Sequence, residues 1–513
     1  MVENRIVAGP FDRVAFARDL TAAAGGKTPD KVPFVGQVKY LARYCKRLGA
    51  KTVLREDHYV DRHFLDEHVL YYGRSLEPTA SHVVRFHVFS RVFSDAEFGD
   101  LLEQRAAQTT EAAAKIDQDL SKDYLGFISI RPLPSVPIGR TVLRRLDDGE
   151  QRDIWATGSH EVHLANIGLK VEGLAFQQQD LAVGACATAA VWTALSRVTR
   201  HEGMRAPTPA EVSQAAGRHV LPNGRTLPAV SGLSVQQLCE AIRSSGFAPE
   251  VVHAVERPEY FVVALHTYLL SGIPVVLVLQ GSEGQHAVTA VGFKTEGVLS
   301  PRLQTSVPVR SARIKKIYIH DDRLGPYARS FLRPLPRTEE FGECLLLAIE
   351  KERDEETPDG AAAQPDPEDV EDWVLETAIV PVYPKLRLPA RSLITLAELC
   401  GDLIEDLVGS ENALSLGVEF YYERAGTYLS RLSGRVGPGA ADFLRRVALP
   451  RWCGIVRWFV GNSPLAEFVY DTTDILRDEQ RLGAELIRAI VCLDPRYRLK
   501  VARIAEFFAV PTA

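Results

Sequence analysis

The spacing of apolar residues changes period along the chain. Between residues 186 and 271 they recur every three to four positions, which predicts helices at about 186–200, 209–217, 234–245 and 258–271. Thr208-Pro209-Ala210-Glu211 has the pattern of a capping box with proline in the first turn, and Gly246 and Gly272 stop the last two helices. Continuous and alternating apolar runs then predict strands at 274–280, 286–293 and 313–320. Before residue 171 the pattern is mixed. VKYLARYCKRLG (38–49) has helical spacing and a glycine stop, KTVLRE is a short strand, and DYLGFISIRPLP is a strand ended by proline. After residue 372, WVLETAIVPVYPKLRL reads as an interrupted strand, 393–408 and 411–433 as amphipathic helices, CGIVRWFV and AEFVY as strands, and about 476–491 as a last helix.

Tyr260 to Ser282 carries no Asp, Glu, Lys or Arg, a run long enough to span a bilayer. Gly272-Ile273-Pro274 splits it, His266, Thr267 and Ser271 are polar, and its second half is short and β-branched. A buried helix, a glycine stop and a buried strand are expected, with no membrane insertion.

The sharpest change of composition lies at 351–372, where carboxylates and prolines crowd out large apolar side chains, as in a solvated linker. With a length of 513 residues, this divides the chain into an N-terminal α+β domain (1–170), a middle domain (171–350), the acidic linker (351–372) and a C-terminal α+β domain (373–513). Apolar residues make up 46% and charged residues 25%, the balance of a globular protein, and the net charge of −6 gives no field that would gather nucleic acid. Seven cysteines stand far apart, without CxxC pairs, so neither a disulfide framework nor a zinc ribbon is expected. The first twenty residues contain acids and no apolar core, unlike a secretory signal, and a reducing, cytoplasmic location follows as the expectation.

The candidate chemistry begins in FQQQDLAVGACATAAVWTALSRV (176–198). Cys186 opens a helix between small residues, and a helix N-terminus favours the thiolate by presenting unpaired amides and the positive end of the dipole. About a hundred residues later, GQHAVTAVGF places His286 at the start of a strand, beside a glycine-containing loop that can face a cleft. RIKKIYIHDDRLGPYAR then ends a strand in His320-Asp321-Asp322. No histidine occurs after position 320, so imidazole chemistry belongs to the first two thirds of the chain.

Cysteine at a helix start, histidine at a strand start and aspartate after a strand, in that order, resemble the papain-like cysteine peptidases. The closest branch is the C39-like group known from bacteriocin-processing peptidase domains, and the likeness covers roughly residues 171–335. It implies an α+β chain with a papain-like domain flanked by two further α+β domains. It also implies a thiol hydrolase that cleaves a peptide or amide bond through a thioester, with Cys186 as nucleophile, His286 as base and Asp321 as its orienting carboxylate. Asp322 is the alternative orienter; Asp321 is preferred because it continues the face of Ile317 and Ile319. The family's oxyanion glutamine corresponds to Gln179, with Gln178 and Gln177 as alternatives. Gln179 stands seven residues before the cysteine where the family commonly has six, and Asp180 holds that place. The stretch between His286 and Asp321 is also long.

A transglutaminase-like core would call for a shorter cysteine-to-histidine interval and a His-x-Trp context, and neither is present. The alternative from another class is a catalytically silent papain-like scaffold acting as an interaction module. Neither cofactor nor metal is expected. The partners expected are a protein or peptide substrate, with separate proteins meeting the C-terminal domain. REDHYVDRHFLDEH (55–68) concentrates histidines and carboxylates, but without HExxH or another metal spacing it reads as a charged, exposed helical face. SHVVRFHVFS (81–90) reads as a half-exposed strand, and PRWCGIVRWFV and VYDTTD as strand packing and a turn.

Overall fold

The computed structural model describes residues 6–25, 36–76, 79–147, 152–179, 186–219, 232–255, 257–282, 284–295, 307–335, 344–351, 369–433, 443, 445–473 and 484–512. They form an α+β molecule built on three antiparallel sheets. The first has the order β1 (Ile6–Pro10), β2 (Thr52–Tyr59), β3 (Val83–Phe89), β4 (Tyr124–Ile130), β5 (Ile138–Leu143), β7 (Ile167–Phe176) and β6 (Gly158–Leu164). It is covered on both faces. Because side chains alternate along a strand, Phe127 joins one apolar cluster with Phe98 and Leu120 while its neighbour Ile128 joins another with Phe16, Leu20, Val38 and Leu41. Double burial accounts for the largely apolar run YLGFISI of β4, every residue of which is buried.

The middle sheet contains β8 (Ala248–His253), β9 (Val275–Gly281), β10 (Gly284–Thr295), β11 (Ile314–Asp321), β12 (Gly325–Leu335), β13 (Cys344–Glu350) and β14 (Val370–Val382). β14 pairs with β9 along one edge and with β13 and then β8 along the other, so strands β9 to β14 close into a six-stranded ring. The helices Cys186–His201, Pro209–Ala216, Val235–Ser244 and Pro258–Leu270 precede or join this sheet within a few residues of the expected bounds, two of them with complete capping boxes at Thr208 and Ser234. The third sheet is a meander of β15 (Leu416–Arg424), β16 (Trp452–Val460), β17 (Ser463–Asp471) and β18 (Ile487–Cys492) beside the long helix Ala390–Val408. It meets the middle unit where Tyr422 stacks on Tyr268, with ring centroids 5.8 Å apart. No described helix is long and apolar enough to cross a membrane.

Several expectations differ from the structure. The boundary at 170/171 cuts β7, which belongs to the first sheet through Phe176. The strand after residue 372 belongs to the middle sheet, not to the C-terminal unit, because β9 and β13 offer it hydrogen-bonding edges that no local pattern announces. Most of the acidic linker lies outside the described residues. Residues 411–433 are not one helix. LGVEFYYER is strand β15, its Glu419, Tyr421 and Glu423 recurring at period two, and the helix Ala425–Ser433 follows. The expected helix at 476–491 begins outside the described residues and ends in strand β18, a short continuous apolar run of the kind that periodicity alone cannot assign. The final helix is Arg498–Phe507.

The segment 55–68 is not a charged, exposed face. Asp61 caps the helix Arg62–Glu67, and Asp61, His63 and Glu67 are buried. Arg85 and His87 on β3 are buried rather than half-exposed, each bonded to Glu56 at 2.7 and 3.2 Å.

Candidate active site

Cys186 is the first residue of its helix and is partly exposed, while Ala187 to Leu195 behind it are buried throughout. The small side chains at 187, 189 and 190 let the helix lie close against the ring of strands, where Thr289 Oγ1 on β10 donates to Ala190 O at 2.9 Å. Trp192, fully buried, donates from Nε1 to Pro207 O at 3.1 Å and fixes the helix from its other side. Gly184 and Ala185 lie outside the described residues.

His286 is the third residue of β10, paired in register with Leu279 of β9. Asp321 is the last residue of β11, on the same buried face as Ile317 and Ile319. The two strands are neighbours, and His286 Nε2 meets Asp321 Oδ1 at 3.0 Å. Asp322 is farther, its Oδ1 3.9 Å from the same nitrogen. The Cys186 side chain is close enough to the His286 ring to help raise it. With Nε2 committed to Asp321, the other ring nitrogen, Nδ1, is the one left for the sulfur.

Burial would push the His286 imidazole down, but the Asp321 carboxylate, its hydrogen bond, the Cys186 contact and Asp322 together hold it well above the ordinary histidine value. Asp321 shows the reciprocal balance: burial raises it, yet the His286 charge and hydrogen bond and the Arg323 amide, 2.9 Å away, bring it below the ordinary carboxylate value. Asp322 is pushed up to about 7, mainly by burial and then by the Asp321 charge, against the pull of His286. Near neutrality the site therefore favours an imidazolium held by one ionised carboxylate, with a second carboxyl that readily keeps its proton.

A wall of aromatic and cationic groups keeps water from this pair. The Trp373 ring from β14 packs against His286 with centroids 5.5 Å apart, and the Arg323 guanidinium lies 5.1 Å from the Trp373 ring centroid. A Cβ at residue 281 would come within 2.5 Å of the Trp373 ring, so glycine there makes room for the indole. No local pattern marks Trp373, which follows the acidic tract and reaches His286 only when β14 is paired.

The three glutamines have separate roles. Gln177 donates from Nε2 to Glu67 Oε1 at 2.6 Å, and Gln178 accepts the Ile138 amide on Oε1 at 3.1 Å. Gln179 is half-buried and is tied to neither partner. Asp180 lies outside the described residues. His320 points away from the set, wedged between Phe176 and Tyr327 with centroids 5.8 and 4.7 Å away, and burial pushes it down to about 3.

His286, Asp321 and Asp322 also present one ligand atom each within 4.8 Å of one another, a set from which a divalent cation could be held. Asp321 Oδ2 and Asp322 Oδ1 are buried without hydrogen-bond partners among the described residues. What the arrangement supplies chemically is a thiol, a carboxylate-oriented imidazole beside it, and a dry wall behind the imidazole. No protein-family model matches the chain, and no curated protein matches it in sequence.

Proposed function

We propose that the chain is a papain-like cysteine peptidase or close thiol hydrolase, acting on a peptide or amide bond. The single observation that carries this is the buried His286, hydrogen-bonded to Asp321 at 3.0 Å, with Cys186 at the start of a helix near enough to act on the ring. The pair reacts as the Cys186 thiolate and the His286 imidazolium, the thiol proton already resting on the ring, and the sulfur adds to the substrate carbonyl carbon. The developing oxyanion is met by the Cys186 amide and the Gln179 side chain. Collapse breaks the carbon–nitrogen bond, and the leaving amine takes its proton from His286. Water, deprotonated by the same imidazole, then hydrolyses the thioester and restores the thiol. Asp321 keeps the ring oriented and balances its charge throughout. No cofactor is required for these steps. The substrate is a protein or peptide met inside a reducing, cytoplasmic compartment, and the C-terminal unit supplies the surface for partner proteins.

Competitive alkylation tests this. Cys186 and Cys492 are both partly exposed, and the other five cysteines are buried, so Cys492 is the matched control. Limiting iodoacetamide should modify Cys186 more than about tenfold faster than Cys492, and His286→Ala should abolish the difference. Equal rates at the two thiols would leave a silent papain-like scaffold as the better account.

A further inference from the structure

Glu67 and Arg131 form an ion pair sealed from water, with Nη1 to Oε2 at 3.3 Å and both side chains 0% exposed. A buried ion pair is a poor device for stability alone, because desolvation cancels much of the attraction. What the pair holds is therefore informative. The second Glu67 oxygen accepts from Gln177 Nε2 at 2.6 Å, and Arg131 Nη2 donates to Gln178 O at 3.1 Å and to Val136 O at 2.8 Å. Gln178 adds two bonds to Ile138, its amide donating to Ile138 O and its Oε1 accepting the Ile138 amide, each at 3.1 Å. The two residues before Gln179 are thus held in backbone and side chain by the N-terminal sheet. The same unit grips the other flank, where Gln37 Nε2 donates to Asp322 O at 3.2 Å and the Tyr40 hydroxyl to Pro326 O at 2.8 Å.

We propose that Glu67 and Arg131 are positioning residues that set the Gln177–Gln179 segment so that the Gln179 amide meets the oxyanion formed when Cys186 attacks. This rests on the thiol hydrolase function proposed above. The N-terminal unit is accordingly part of the catalytic device, holding the oxyanion side through Glu67 and Arg131 and the carboxylate side through Gln37 and Tyr40.

Two small probes separate the roles. In iodoacetamide the sulfur attacks the methylene carbon and displaces iodide from it, a step that forms no oxyanion. p-Nitrophenyl acetate is attacked at its carbonyl, passes through an oxyanion, releases p-nitrophenolate and leaves an acetyl thioester that water cleaves to acetate and free thiol. Both are measured on the full chain, with Cys186→Ala subtracted. Glu67→Gln strands the Arg131 charge and can cost the fold, so Gln177→Leu, which keeps the ion pair, is the second variant. In Gln177→Leu the ester kcat/KM should fall by about tenfold to a hundredfold, while the alkylation rate stays within about twofold of wild type. Glu67→Gln should show the same split wherever its circular dichroism matches wild type. An unchanged ester rate in Gln177→Leu, or an equal fall in both probes, overturns the positioning role. Wild-type protein with no Cys186-dependent ester turnover overturns the thiol hydrolase function itself, and with it this role.

Discussion

Asp322 is the residue whose titration should be most visible. Its unfolded value lies near 3.8 and its folded value near 7, so between these the folded state binds more protons and stability falls as pH rises. Asp322→Asn removes that loss. Its thermal midpoint should match wild type at about pH 4 and exceed it by several degrees at about pH 8; equal midpoints at both would show that the buried carboxyl carries no such cost. His286 has the same sign for a different reason. Its pairing with Asp321 raises its folded value above the ordinary 6.5, so its contribution is full below that pH and lost as pH rises through the raised value. Trp373 belongs to the same residue-scale economy, since it covers the ring that makes the pairing strong.

At the scale of elements, the helix Gly36–Arg47 and the turn between β11 and β12 are locked face to face. A Cβ at residue 325 would run into the Tyr40 ring, so Gly325 is the condition for that docking. Gly325→Ala should destabilise the protein by about 1–3 kcal/mol as overpacking does, and Tyr40→Ala in the same chain should recover part of it, a coupling that denaturant midpoints of the four proteins would reveal. Which elements could be read from sequence follows from where their information sits. The helix at Cys186 and strands β10 and β11 carry their own periodicity, caps and glycines, so their bounds, and with them the positions of Cys186, His286 and Asp321, were legible locally. β15 and β18 were not, because Glu419 and Glu423, four residues apart, and a short apolar run each fit two periods until a neighbouring strand chooses. The burial of Glu67 depends on Arg131, and the place of Trp373 on β9 and β13. Such partners lie far along the chain, where no window of sequence reaches.

For the whole molecule, the apolar core runs on from the first sheet through the middle ring to the helix Ala390–Val408 and the meander beyond it, with Leu120, Leu277, Leu393 and Val456 all in one cluster. The ring itself is completed by a strand that comes after the acidic tract. Trp373→Ala keeps Cys186, His286 and Asp321 but uncovers the imidazole on the β14 side, and its Cys186 should lose its advantage over Cys492 in iodoacetamide labelling; full reactivity in that variant would show that the cover is not needed. The order of synthesis then acquires meaning. At about 5–20 residues per second, the ribosome releases the cysteine and the histidine several seconds before it releases Trp373. Until then the imidazole has no cover on that side, and the nascent chain carries its reagents without the chamber in which they react.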